Sequence, residues 1–207
     1  MAMSALRLVA FDLDGTLTRG LTCLEALAQR FDVVDQVARW EQARSEAEIT
    51  AVRQGVWHLL GAKAIEDQAG HFRDISLAPG AAEGIRLLHQ AGIQTVIVSL
   101  AFEIHVRWFA RRLNIDHVIA TKVSSSGAFR HVFPSTKPTL LAEHAATVGI
   151  DLSETAAVGD SFGDVPMLAA VGTSVYLGTA PPEGLTATWH LPHAGIDAVA
   201  DRLLNNR

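Results

Sequence analysis

Asp12 and Asp14 stand one residue apart at the end of an apolar run, Leu6-Arg7-Leu8-Val9-Ala10-Phe11, and Gly15, Thr16, Leu17 and Thr18 follow them. The run lacks Gly and Pro and predicts a buried strand, with the Gly and the threonines forming a turn beyond it. In extended backbone, residues i and i+2 project to the same side, so both carboxylates would leave the strand end together. Like charges at that spacing repel, and either a cation lies between them or one of them takes up a proton. A hard divalent ion such as Mg²⁺ prefers oxygen ligands of this kind and commonly works with phosphates. An isolated Asp-x-Asp also fits a plain acidic turn, so the remaining polar positions decide between the two.

A second acidic cluster follows the run Thr155 to Gly159, as Gly159-Asp160-Ser161-Phe162-Gly163-Asp164. Asp160 again sits where a strand should end and can reach a cation directly. Asp164 can meet the cation through water, orient a lysine, or favour the N-terminus of the helix that follows. Ser99 closes the β-branched run Ile93 to Val98 and can donate to a phosphoryl oxygen, although a serine at a strand end also serves as a turn former. Lys137, between Pro134 and Pro138, can neutralise a phosphate and keep a carboxylate ionised; standing alone it reads as a solvated charge, and Lys122 competes with it. Arg53, just before Gly55, can take a substrate carboxylate or remain a solvated helix residue. The histidines show no His-x₃-His or Cys-His spacing, which argues against zinc, although His58 and His71 can face a cleft.

The elements that must position these residues alternate. Helical periodicity is expected from Leu24 to Phe31 and on through Val34, Val37 and Ala38, then about Trp40 to Val52, Val56 to Gln68, Ala81 to Gln90, Phe102 to Leu113, Pro138 to Val148, Val165 to Val171 and Ile196 to Leu204. Strands are expected at Leu6–Phe11, Ile93–Ser99, Val118–Ala120, Thr155–Gly159, Thr173–Leu177 and, at an edge, Thr188–Leu191. Extended pieces around Thr121–Val123 and Ala128–Val132 flank Ser124-Ser125-Ser126-Gly127 and predict a hairpin. Strands alternating with helices give an α/β, Rossmann-like, mostly parallel sheet with helices on both faces. No convincing strand falls between Leu21 and about Ile75, which reads as a small helical insertion.

The chain has 207 residues, a formal net charge of −5 and 49% hydrophobic residues, enough for one core domain with a modest insertion. No Lys/Arg run marks a nucleic-acid partner. No apolar stretch approaches the roughly 20 residues needed to cross a bilayer, and the opening residues do not read as a secretory signal. The single Cys23 excludes an internal disulfide and fits a reducing compartment, so a cytoplasmic protein, monomer or homodimer, is expected.

Taken in order, Asp12-x-Asp14-x-Thr16, Ser99, Lys137 and Gly159-Asp160-x-x-x-Asp164 resemble the four motifs of the haloacid dehalogenase superfamily, over about Leu6 to Leu177. The resemblance implies that Asp12 is a nucleophile that becomes an aspartyl phosphate, and that Asp14 is the general acid and then the base that activates water. It implies Mg²⁺ held by Asp12, by Asp14 through its main-chain carbonyl, and by Asp160, with Asp164 nearby. Thr16, Ser99 and Lys137 would bind the phosphate, and Lys137 is preferred to Lys122 because the superfamily lysine opens the helix leading into the fourth motif. Dehalogenases of the superfamily lack the second aspartate, so Asp14 argues for phosphoryl transfer. The helical insertion occupies a type-one cap position, giving a core of 1–18 and 78–207 and a cap of 19–77.

Within the superfamily the chain resembles the phosphoserine-phosphatase-like group, in the position of the helical insertion, the strand-end Ser99 and the Gly159-Asp160-x-x-x-Asp164 ending. That group carries a Glu where Leu21 stands here, with Glu25 one turn further on, and usually a Gly where Leu100 follows Ser99. Both departures argue against phosphoserine as the substrate. The expectation is an Mg²⁺-dependent phosphatase for a small phosphorylated metabolite, with Arg53 as a possible carboxylate ligand. A phosphotransferase or mutase would carry the same motifs. A non-catalytic phospho-switch resembling a bacterial receiver domain would be shorter and lack the cap.

Overall fold

Strand β1 (Leu8–Phe11) is buried on both faces, which is why it reads as an unbroken apolar run with no polar alternation. Val9 and Phe11 point into one hydrophobic layer and Leu8 and Ala10 into the other, as a period of two requires. The computed structural model describes residues 6–32, 34, 42–60 and 72–205. Within them β1 lies at the centre of a seven-stranded sheet of order β6-β5-β4-β1-β7-β8-β9. The other strands are β4 (Gln94–Phe102), β5 (His117–Val123), β6 (Phe129–Arg130), β7 (Thr155–Gly159), β8 (Thr173–Tyr176) and β9 (Trp189–His190). Every neighbouring pair runs parallel except β5 with β6, the expected hairpin.

Helices cover both faces. Helix α3 (Ala81–Gln90), α4 (Glu103–Leu113) and α7 (Ile196–Asn205) contribute Ile85, Leu88, Val106, Phe109, Val199 and Leu203 to the layer that holds Phe11. Helix α5 (Lys137–Thr147) and α6 (Val165–Ala170) contribute Leu141, Ala145, Met167 and Leu168 to the layer that holds Leu8. Gly84 lets α3 approach the start of α7, because a Cβ there would meet the Ile196 carbonyl oxygen at 2.4 Å.

Between β1 and α3 come α1 (Cys23–Phe31) and α2 (Glu46–Leu60). The two ends of this insertion pair as a short antiparallel ribbon, β2 (Thr18–Arg19) with β3 (Ser76–Leu77), which the sequence did not announce because each strand is only two residues long. Two helices expected at Trp40–Val52 and Val56–Gln68 are corrected within the described residues: one helix runs from Glu46 to Leu60 through Gly55, and residues 61–68 lie outside the described residues. Burial of Ile49, Arg53 and Val56 along one side outweighs the roughly 1 kcal/mol that an internal Gly costs. Val34 is exposed, and Val37, Ala38 and Trp40 lie outside the described residues. Among the described residues no helix is long and apolar enough to cross a membrane.

On the far side of the sheet from α3, the His144 ring in α5 lies 4.7 Å from that of His117, and His144 Nε2 is buried with no hydrogen-bond partner among the described residues. Burial, and then His117, pull the His144 pKa below its ordinary value. The unfolded chain therefore binds protons more readily than the folded one, and this imidazole costs stability as pH falls below about 6.5. Thermal unfolding of wild type and His144→Phe should diverge between about pH 7 and about pH 5, with the wild type losing more. A difference in Tm that stays constant over that interval would show that His144 does not titrate this way.

Candidate active site

β1 is flanked by β4 on one side and β7 on the other, so the sheet order reverses at its carboxyl end, where open α/β sheets form their ligand crevice. Asp12 follows immediately, and its N–H donates to the Val158 carbonyl at 2.9 Å, extending the ladder to β7 by one rung. The chain then enters a tight turn over Leu13–Leu17, in which Asp14 (φ −71°, ψ 121°) and Gly15 (φ 83°) depart from helical geometry. The Asp14 carboxylate accepts from the Cys23 N–H, at 2.9 Å, at the start of α1. The acids that press on Asp12 are Asp164 and Asp160.

Asp12, Asp160 and Asp164 each present a carboxylate oxygen within 4.8 Å of the others. Lys137 opens α5, is 1% exposed, and donates to Asp12 Oδ1 at 2.8 Å and Asp164 Oδ1 at 2.7 Å. Burial opposes its charge, but Asp12 and Asp164 outweigh that and hold the ammonium above its ordinary range. Asp164 is fully buried, and its Oδ2 accepts from the Asp160 N–H, the Ser161 N–H and the Ser161 hydroxyl at 3.1–3.2 Å. It thus orients Lys137 and ties the loop after β7. Thr16 donates to Asp160 Oδ1 at 2.8 Å.

Three carboxylates facing one ammonium leave an excess of two negative charges in a largely buried cluster. Burial and Asp164 push the Asp12 carboxyl well up, and Lys137 offsets this only in part; burial and Asp164 raise Asp160 too. A divalent cation would balance the excess, and an all-oxygen donor set suits Mg²⁺. The Asp14 side chain is outside this cluster, so only its main-chain carbonyl remains as the contribution expected of it.

The remaining assignments divide. Ser99 is 2% exposed and lines the cavity; its Oγ accepts from the Ala101 N–H at 3.2 Å, which leaves the hydroxyl able to donate. β4 does not end at Ser99 as expected, but runs to Phe102 with a register shift against β5 between Val98 and Phe102. Thr16 is fully buried, and its hydroxyl is given to Asp160. Lys122 pairs with Glu103 at 3.1 Å and is half-exposed, away from the aspartates. Glu25 closes a capping box with Thr22 at the head of α1, and His58, exposed, faces its own helix at Gln54. His71 lies outside the described residues.

Arg53 is neither a solvated residue nor an open carboxylate ligand. It is 6% exposed and donates to the Leu100 and Val132 carbonyls, with His131 Nδ1 at 3.1 Å and the Phe133 ring 5.3 Å below. Burial pulls its pKa down to about 10, so it stays charged at neutral pH and pins α2 to the core. Arg19 carries a role that sequence reasoning missed. Its guanidinium gathers the Gly15, Thr16, Thr18 and Ala194 carbonyls and so fixes the turn after Asp14. The only sequence signal was a cation just beyond a turn whose carbonyls lack helical partners.

This arrangement is that of an acid-cluster hydrolase on a parallel α/β sheet. The family model for haloacid dehalogenase-like hydrolase matches residues 9–169, and the chain belongs to that family as a phosphoserine-phosphatase-like phosphatase. It is 30% identical over 211 residues to phosphoserine phosphatase SerB2 of Mycobacterium tuberculosis, covering 96% of this chain but 51% of that one. It is 28% identical to phosphoserine phosphatase of Lactococcus lactis, covering 96% of each. A substrate-bound phosphoserine phosphatase structure superposes with a TM-score of 0.80 at 22% identity, over 96% of this chain and 99% of that chain. A hydrolase of the family from Salmonella enterica serovar Typhi gives 0.84 at 18% identity, over 99% of this chain and 74% of that chain. These two likenesses concern the fold.

At Gly15, a Cβ would meet Asp160 Oδ2 at 2.2 Å and would also strain a positive φ. Gly15→Ala should therefore displace Asp160 and raise the Mg²⁺ concentration for half-maximal activity at least tenfold, in a metal titration of the folded variant. Arg53→Met leaves the buried Val132 carbonyl without its donor and should cost about 1–3 kcal/mol in denaturant unfolding. Stability equal to wild type would show that the α2 contact is dispensable.

Proposed function

We propose that this protein is an Mg²⁺-dependent phosphatase that hydrolyses a small phosphorylated metabolite through an aspartyl phosphate on Asp12. The observation that carries the proposal is Lys137 held between Asp12 and Asp164, with Asp160 beside them, at the floor of a cavity that Asp14 and Ser99 also line. Residues 19–77 act as the cap over that cavity, and the enzyme works in the cytoplasm.

Asp12 attacks phosphorus in line, and the bond from phosphorus to the leaving oxygen breaks. Asp14, held on the cap side by the Cys23 N–H, delivers its proton to that oxygen. Asp14, now ionised, takes a proton from water; the water oxygen attacks phosphorus, and the bond to Asp12 breaks. Phosphate leaves with Asp12 restored as a carboxylate and Asp14 reprotonated. Lys137 and Ser99 donate to the phosphoryl oxygens throughout, and Asp164 keeps Lys137 aimed. Asp12, Asp160 and the Asp14 main-chain carbonyl would hold Mg²⁺, which would supply positive charge beside the transferring group. Catalysis of this kind rests mostly on positioning and charge.

Release of phosphate from p-nitrophenyl phosphate should require Mg²⁺ and stop on chelation. Asp12→Asn should lower kcat by at least about 10³-fold, since it removes the attacking oxygen charge. Asp14→Asn should slow both steps, by about 10²–10⁴-fold, the usual worth of a positioned acid or base. Full activity in Asp12→Asn would sink the proposal.

A further inference from the structure

The cavity over Asp12 encloses about 630 Å³, several times the space of a phosphoryl group. Away from the aspartates its wall is made by Leu24 and Leu27 of α1, Ile49, Val52 and Val56 of α2, and Phe102 at the end of β4. Leu27 and Val56 are each 2% exposed, so this is an ordered aliphatic surface and not a fringe of loosely held side chains. The charged residues on the wall, among the described residues, are already engaged. Glu25 accepts from the Thr22 N–H at 2.8 Å, Arg53 donates to two main-chain carbonyls, and Arg44 lies 4.4 Å over the Phe162 ring.

We infer that the substrate is the phosphomonoester of a neutral, largely apolar alcohol; the inference rests on the phosphatase reading above. An amino-acid leaving group would set its ammonium against aliphatic carbon or draw Glu25 from the cap of α1. Its carboxylate would have to draw Arg53 from the Val132 or Leu100 carbonyl, or Arg44 from the Phe162 ring. Burying either charge without a partner is heavily unfavourable. An alkyl or aryl leaving group instead gains contact with each added carbon, and the cap helices supply that contact. The chain thereby differs in leaving-group chemistry from relatives named for phosphoserine.

The test measures binding and turnover separately on the intact protein with Mg²⁺. Methyl-, butyl- and hexylphosphonate, which cannot be hydrolysed, are titrated by calorimetry beside the phosphonate analogue of phosphoserine. Affinity should rise roughly fourfold per methylene, and the phosphoserine analogue should bind at least tenfold more weakly than butylphosphonate. The matching alkyl phosphates, whose leaving-group basicities are nearly equal, should show the same rise in kcat/KM. Leu24→Gln, on the partly exposed face of α1, should flatten the chain-length slope. A rising phosphonate affinity without any turnover supports the apolar pocket while refuting the phosphatase reading. Affinity independent of chain length, no phosphonate binding, or preference for the phosphoserine analogue overturns the inference.

Discussion

The buried ammonium of Lys137 between two carboxylates is the contact on which the rest of the site depends. Asp12 comes from the end of β1, Asp164 from the loop after β7, and Lys137 from the first turn of α5, so three separate segments meet at one charge. Removing one partner of such a buried pair leaves an uncompensated charge and typically costs about 3–5 kcal/mol. The same contact serves chemistry. It aims Lys137 at the oxygens that Asp12 would attack past, and it leaves the cluster negative enough to call for a divalent cation.

Around that contact the backbone is held by hydrogen bonds that do no chemistry. Asp164 Oδ2 ties the amides of Asp160 and Ser161, Thr16 fixes Asp160, and Arg19 collects the carbonyls of the turn after Asp14. Rigid placement of charge is what the proposed phosphoryl transfer needs, because such a transfer leaves a protein little covalent work to do. Helix α2 is tied to the same frame. Arg53 bolts α2 to the Leu100 and Val132 carbonyls, while Trp57 packs against Phe102 and Phe129 with ring centres 6.1 and 6.2 Å away. Helix α2 is thereby set over the aspartates by contacts from β4, from β6 and from Val132.

Much of this was legible in the residues. The unbroken apolar run of β1, the helix at Ala81–Gln90 and the strand at Thr155–Gly159 stand where periodicity placed them, since both faces of the sheet are covered and local pattern agrees with global burial. Boundaries slipped where pairing with a neighbour decided them. β4 continues past Ser99 because β5 is there to pair with Phe102, and α2 continues through Gly55 because its buried side gains more than the Gly loses. The β2–β3 ribbon was invisible because two residues per strand carry no period, and only the meeting of distant segments creates it.

What the sequence determined by itself is the inventory of acids, hydroxyl and lysine and the strand ends that carry them, because charge, chain order and periodicity are local properties. Only the tertiary structure decided how each was used. It joined Asp14 to the Cys23 N–H, gave the Thr16 hydroxyl to Asp160 and engaged Glu25 in a helix cap. It also buried Arg53 against carbonyls from Leu100 and Val132, residues about 50 and 80 positions away along the chain. A side chain's partner is set by what the fold brings within about 3 Å, and that distance is written in the packing of remote segments and not in the spacing of neighbours.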